Sequence, residues 1–345
     1  MAGLRALGWS VTVRELGPGF PFPSAAERAG AARVLAGAQT GSRVVVDGLA
    51  LGVLGDVAAA ATDRLALIAL VHHPLALETG LDPADARAFA RTEKRALALA
   101  RRTIATSATT ARVLVDRFAV APARLGVVRP GTDRRAPRPP RVDGPPRLLC
   151  VGSLTPRKGQ DVLLSALDRL RDLPWEATLL GAARDAGFAR AVRRAAEAPG
   201  LAGRVHLAGE VGDDALARAY GEADLLVLPR RYEGFGMVLT EAVASGLPIV
   251  ASEAGAIPEA APPEARMLVP PDDPGALAAA LRRLLTDPRA LTALAAGADR
   301  AAPTLPTWEH AACRFAEEVR KVGPETVDDQ TRAGRSVPSS RSETS

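Results

Sequence analysis

The stretch Arg230-Arg231-Tyr232-Glu233-Gly234-Phe235-Gly236-Met237-Val238-Leu239-Thr240-Glu241-Ala242 decides the fold. Ahead of it, Ala223-Asp224-Leu225-Leu226-Val227-Leu228-Pro229 is a short apolar run of the kind that forms a buried parallel strand. Behind it, residues 239–245 have helical character and are closed by Gly246-Leu247-Pro248. Glu233 therefore falls in the loop at the carboxyl end of a strand, and Glu241 lies about two turns further on, inside a helix. Open α/β sheets bind their ligands at that end of their strands. Gly234 and Gly236 remove side chains beside Glu233, so backbone N–H groups at a helix N-terminus become accessible to an anion or a sugar hydroxyl. Two carboxylate acceptors flanking bare amides suit a polyhydroxylated, phosphorylated ligand. Either glutamate alone would be an ordinary solvated side chain on a glycine-rich turn; the full string carries the functional reading.

Strands alternate with helices on both sides of this stretch, which predicts an α/β protein with a doubly wound parallel sheet in each half. In the first half strands are expected at 10–13, 44–46, 66–71, 103–106 and 125–128, with helices at 25–36, 83–100 and 107–118 between them. In the second half strands are expected at 147–151, 177–180, 205–207, 225–228, 249–251 and 267–269. The segment 134–146 is rich in Arg and Pro without an apolar period, which makes it an inter-domain linker. The chain thus divides into a Rossmann-like domain at 1–133, the linker, and a second such domain at 147–305. A helix follows at 306–322, with apolar residues at helical spacing around Trp308 and Phe315. The polar, aperiodic tail at 323–345 is expected to be disordered.

With 345 residues, the chain can bury two separate cores, and its apolar residues are mostly Ala, Leu and Val, so those cores should be aliphatic. No uncharged apolar run reaches membrane-spanning length and the N-terminus lacks a secretory pattern, so a cytoplasmic protein is expected. Cys150 and Cys313 have no metal-ligand or redox spacing and are expected to be buried free thiols. The net charge of +5 is spread through helices beside Asp and Glu. That pattern argues against nucleic-acid binding and is compatible with anionic small-molecule donors or peripheral membrane contact.

The run from Glu233 to Ala242, with Ser245-Gly246-Leu247-Pro248-Ile249-Val250-Ala251 and Gly255-Ala256-Ile257-Pro258-Glu259, resembles the signature of family-4 glycosyltransferases, enzymes of the GT-B fold. The resemblance extends to about Val322 and is densest over 148–285. It implies two Rossmann-like domains around a cleft, and transfer of a sugar from a nucleotide-diphosphate donor with retention of anomeric configuration. It implies no obligatory metal and no cofactor beyond the donor substrate. The helix at 306–322 resembles the one that crosses back to the first domain in such enzymes.

Gly152-Ser153-Leu154-Thr155-Pro156-Arg157-Lys158-Gly159 enters a helix at Gln160, and a cation with free amides at a helix start can cradle a diphosphate. The family often carries an arginine immediately after that first glycine and a lysine before the later one. Lys158 matches the lysine, Ser153 stands where the arginine is common, and Arg157 is the neighbouring substitute. By the same resemblance Glu241 accepts hydrogen bonds from the donor ribose, while Glu233 faces the transferred sugar, which the Phe235 and Gly236 amides help hold, and Gly234 belongs to the same donor-binding loop. The loop with Glu210 and Val211, after His206, approaches the nucleotide base. His73, followed by Pro74-Leu75-Ala76, fits the histidine that such enzymes place near the donor sugar and the acceptor. His72 and Asp47 are weaker acceptor-side candidates, and the Pro130-Gly131-Thr132-Asp133 turn is weaker still, since turn chemistry alone explains Gly and Asp there. His310 is expected on the surface of the last helix.

The first residues, through Val13, resemble the end of the first helix and the second strand of these enzymes. The usual first strand and its glycine-rich loop are missing, and in a doubly wound sheet that strand is central. The expectation is therefore a chain truncated by a start set too late. Two rival functions share the residues above: a sugar-nucleotide epimerase of the same fold, and an inactive nucleotide-sugar-binding protein.

Overall fold

The computed structural model describes residues 1–134 and 144–323. Most of the expected linker, 135–143, and all of the expected tail but Gly323 lie outside those described residues. The first half forms a four-stranded parallel sheet from β1 (Arg43–Asp47), β2 (Ala66–Val71), β3 (Arg102–Ala105) and β4 (Leu125–Val127), in the order β1-β2-β3-β4. The second half forms a six-stranded parallel sheet from β5 (Arg147–Val151), β6 (Glu176–Leu180), β7 (Val205–Gly209), β8 (Leu225–Leu228), β9 (Ile249–Ser252) and β10 (Arg266–Val269). Its order is β10-β9-β8-β5-β6-β7. These are two Rossmann-like α/β domains, each built on one parallel sheet.

The period-2 alternation of a strand explains how the first sheet fills two cores. In β2, Leu67, Ala69 and Val71 enter one cluster with Leu51, Leu97 and Leu114, while Ala66 and Ile68 enter another with Val319 and Val322. The second of these faces is covered by the helix Trp308–Arg320, which returns to the first sheet from the far end of the chain. Glu318 anchors it: the carboxylate is buried and accepts from Arg102 Nε at 2.7 Å and from Lys321 Nζ at 2.6 Å. Burial alone would raise the Glu318 carboxyl, but these two cations hold it below the usual carboxylate range. Every residue of β8 and β9 is buried, as expected for strands with both faces covered.

Two expectations are corrected. No strand forms at 10–13; that segment is irregular, Val13 is exposed, and the carbonyl of Val11 accepts from Arg5 Nη2 at 3.1 Å. Apolar alternation there has no neighbouring strand to pair with, because among the described residues no strand lies on the outer edge of β1. Cys313 is exposed on the last helix, whereas Cys150 is buried in β5. No helix among the described residues is long and apolar enough to cross a membrane.

The order of the second sheet fixes the site. From β5 the chain winds outward to β6 and β7, then returns to β8 on the other side of β5 and continues to β9 and β10. This reversal opens a crevice beyond the carboxyl ends of β5 and β8. The glycine-rich loop after β5 and the Glu233 loop after β8 both lie there. They touch at Gly159, whose φ of +71° and lack of a side chain are both needed: a Cβ would lie 1.9 Å from the carbonyl oxygen of Pro229.

Candidate active site

The loop after β5 is held open by its own polar groups. Gln160, the first residue of the helix Gln160–Asp168, donates from Nε2 to the carbonyls of Gly152 and Ser153, each at 3.1 Å. Arg231 of the β8 loop donates to the Pro156 carbonyl in that loop, to Asp161 on the helix behind it at 2.8 and 3.1 Å, and to Asp272 after β10 at 2.6 Å. Such planar, forked pairing fixes orientation as well as distance. A Cβ at Gly152 would meet Arg230 Nη2 and Lys158 Cδ, both at 3.4 Å, so the two cations flank the space that this glycine leaves clear.

Glu233 is the centre of the charge cluster. Its Oε2 accepts from Lys158 Nζ at 3.1 Å and from Arg230 Nη1, and lies 3.9 Å from Arg157 Nη1. Its Oε1 accepts from the Gly234 amide at 3.2 Å. Burial and the nearby Arg230 and Arg157 guanidinium groups push the Lys158 ammonium down to about 6, while Glu78 pulls the other way. The Glu233 carboxylate at 3.1 Å also favours the ammonium, so Lys158 sits between opposed influences that an anionic ligand would tip. Lys158 and Arg230 therefore both face Glu233, while Arg157 stands at its edge.

The first domain closes over this cluster. After β2 come His72, His73 and a turn at Leu75–Leu77, whose Leu75 and Ala76 amides donate to the buried Glu93 at 2.7 and 3.0 Å. His73 Nε2 is 3.1 Å from Glu78 Oε2, and the other oxygen of Glu78 accepts from Arg157 Nε at 2.6 Å. Although burial alone would raise it, the His73 hydrogen bond and the Arg157 charge hold the Glu78 carboxyl at about 2. Glu78 thus joins a histidine of the first domain to a cation of the second. The single hydroxyl proton of Thr110 has two carbonyl oxygens within reach, that of Gly234 at 3.2 Å and that of His72 at 3.4 Å. Glu259 of the second domain accepts from the Ala108 and Thr109 amides at 2.9 and 3.0 Å, at the start of the helix Ala108–Phe118, and from Arg129 at 2.9 Å. A carboxylate at a helix N-terminus is favourably placed for the helix dipole.

The other expected site residues are arranged around this centre. Gly236, at φ +89°, starts the helix Met237–Ala244 that carries Glu241, and Phe235 is buried in the second core. Glu241 Oε2 accepts from the hydroxyl of the fully buried Tyr220 at 2.8 Å. His72 turns away to Asp47 at 3.1 Å, on the exposed side of the first domain. Burial would raise the Asp47 carboxyl, but hydrogen bonds from His72 and the Leu49 amide hold it below its usual range. Glu210 is exposed and faces Arg184 at 3.9 Å, with Val211 half-buried beside it. Sequence reasoning missed Glu78, Arg230 and Tyr220. Of these only Arg230 carries a signal, as a cation at the end of an otherwise apolar strand.

Residues 44–135 match the family described as Glycosyltransferase Family 4, and residues 145–287 match Glycosyl transferases group 1. An MMP α-(1→4)-mannosyltransferase of Mycolicibacterium hassiacum is 34% identical over 86% of this chain and 74% of its own length. A D-inositol 3-phosphate glycosyltransferase of Thermomonospora curvata is 34% identical over 65% of this chain, which spans little more than half (58%) of that relative. Among solved structures, the sucrose-phosphate synthase of Thermosynechococcus elongatus superposes with a TM-score of 0.70 at 25% identity, over 81% of this chain and 73% of that one. HepE of Anabaena, solved with UDP and glucose, also superposes at 0.70, with 19% identity over 86% of this chain and 81% of its own. With this likeness in sequence along most of its length, two parallel-sheet domains and a charged cleft between them, the chain belongs to the group 1, family 4 glycosyltransferases and is a glycosyltransferase enzyme.

Proposed function

We propose that this enzyme is a retaining transferase that takes a sugar from a nucleotide-diphosphate donor held by the second domain and passes it to a hydroxyl acceptor presented by the first. The observation that carries the reading is the Lys158–Glu233 pair, which sets a cation for a diphosphate beside an acceptor for sugar hydroxyls at the switch point of the second sheet. The UDP-bound and glucose-bound HepE structure and the sugar-transferring relatives support the same donor class. In this reading a bond forms between the acceptor oxygen and the anomeric carbon as the bond from that carbon to the phosphate oxygen breaks on the same face. The acceptor proton goes to the departing diphosphate. Lys158 offsets the growing phosphate charge, Glu233 and the amides at Gly234–Gly236 orient the sugar, and Glu241 holds the ribose. His73 stands on the acceptor side, oriented by Glu78. In this reading the acceptor is a glycan, a lipid or a small molecule, and the enzyme works in the cytoplasm or at the membrane periphery.

A thermal-shift screen against UDP-, GDP- and ADP-sugars tests the donor, because a ligand bound only to the native state raises the apparent stability. The donor that binds is then incubated with candidate acceptors, and NMR of the product anomeric proton reports configuration. Stabilisation by at least one nucleotide sugar and a product that keeps the donor's anomeric configuration are expected. An inverted product would remove the same-face mechanism; no stabilisation by any of them would remove the donor class.

A further inference from the structure

Arg230 has a chemistry that its structural contacts leave unfinished. Its side chain is only 3% exposed, although the residue stands just past the carboxyl end of β8, where the crevice begins. Nη1 donates to Glu233 and Nη2 to the carbonyl of Val151 at 2.8 Å, while Nε is buried with no hydrogen-bond partner among the described residues. A buried guanidinium with an unsatisfied N–H is costly unless something else meets it. The Nη2 end of the guanidinium and the Lys158 side chain both border the space that Gly152 leaves clear. Ser153, whose position carries a common arginine in the family pattern, supplies no charge there. Arg157, the neighbouring substitute, is turned across the cleft to Glu78 and to the Tyr232 carbonyl.

We propose that Arg230 supplies the diphosphate-binding cation that the family pattern places at position 153, so that the donor phosphates lie between Arg230 and Lys158 over Gly152. This rests on the nucleotide-diphosphate reading above. The arginine reaches the crevice from the end of β8 instead of from the loop after β5. Glu233 holds the guanidinium in place until the donor arrives and then shares it with the phosphate. A guanidinium delivers a fork of donors, which a lysine at the same place would not.

The experiment measures the affinities of UDP, GDP and ADP and of the matching monophosphates by calorimetry on the full chain. In Arg230→Gln, the diphosphate that binds should weaken about tenfold to a hundredfold while its monophosphate changes by less than about threefold. Adding Ser153→Arg to that variant should restore most of the loss. Ser153→Arg alone should gain less than about threefold, because the place is already filled. Equal weakening of diphosphate and monophosphate would make Arg230 a purely structural residue and overturn the proposal. A gain of more than about tenfold in Ser153→Arg alone would do the same, and this variant remains informative if Arg230→Gln does not fold. If the unaltered chain binds none of the three diphosphates, the donor reading itself fails; if it binds one and Arg230→Gln binds it equally, only the role of Arg230 fails.

Discussion

A Cβ on Gly234 would lie 2.1 Å from the carbonyl oxygen of His72, so the two domains meet at a backbone contact that tolerates no side chain. The same methyl would also press on His73 Cβ at 3.0 Å. The Thr110 hydroxyl lies within hydrogen-bond distance of both carbonyls, 3.2 Å from that of Gly234 and 3.4 Å from that of His72, so a first-domain side chain reaches the second domain at the same place. Gly234→Ala should therefore hold the cleft open and displace His73 from the Glu233 cluster. A misplacement of about 1 Å costs on the order of a hundredfold in rate. The expected result is a loss of that size in kcat/KM with a thermal midpoint close to that of the unaltered protein. Undiminished turnover would show that this contact is not the catalytic closed state.

Glu78 joins the domains through charge. The folded-state pKa of about 2 lies below the ordinary 4.5, so its contribution to stability is complete above about 4.5 and is lost as the pH falls toward 2. Glu78→Gln keeps the shape and removes the charge, and the side chain is about one-third exposed, so a modest stability loss is expected at pH 7. Chemical denaturation should show the gap between Glu78→Gln and the unaltered protein narrowing below pH 4.5. Turnover should fall more than stability, because both His73 and Arg157 lose their common partner. A stability gap that stays constant from pH 7 to pH 3 would contradict the assignment of that carboxylate.

Lys158 makes donor binding sensitive to pH in the opposite direction. With the unliganded ammonium pushed down to about 6, the group is largely neutral at pH 8, and a diphosphate beside it raises the pKa. Binding must then take up a proton above pH 6, and affinity should fall as the pH rises above 6 and level off below it. Calorimetry of the nucleoside diphosphate at pH 8, in buffers of different ionisation enthalpy, should detect this uptake. Lys158→Met should abolish it. If the binding enthalpy at pH 8 does not depend on the buffer, the lysine is already charged in the empty site, and Glu233 has outweighed burial.

Much of this arrangement is legible in the chain and some is not, for reasons of geometry. The runs at Leu225–Leu228 and Ile249–Ser252 are recognisable because strands buried on both faces must be apolar throughout. The glycines around Glu233 and Gly152 are recognisable because close backbone approach excludes side chains. Glu78 is not, since its role depends on a loop of one domain meeting a loop of the other, and no local pattern encodes that meeting. Arg230 was hidden in the opposite way: it lies inside the most informative stretch of the chain, but the direction of its side chain decides whether it faces solvent or Gly152. The strand expected at 10–13 shows that alternation alone is insufficient, because a strand needs a neighbour to satisfy its backbone.

Glu241 gives the cleanest separation of binding from catalysis. It lies on the helix Met237–Ala244, and the hydroxyl of Tyr220 orients its Oε2 at 2.8 Å. A carboxylate that accepts from ribose hydroxyls contributes about 1.5–3 kcal/mol per charged hydrogen bond. Glu241→Ala should therefore weaken the nucleoside diphosphate about tenfold or more, with a smaller effect on turnover at saturating donor. Tyr220→Phe removes only the group that aims the carboxylate and should cost less, about 0.5–1.5 kcal/mol in affinity. Because both act through one oxygen, the double variant should weaken binding little beyond Glu241→Ala, and a double-mutant cycle measures that coupling. Additive losses would mean that Tyr220 acts elsewhere, and an unchanged affinity in Glu241→Ala would remove the ribose from this carboxylate altogether.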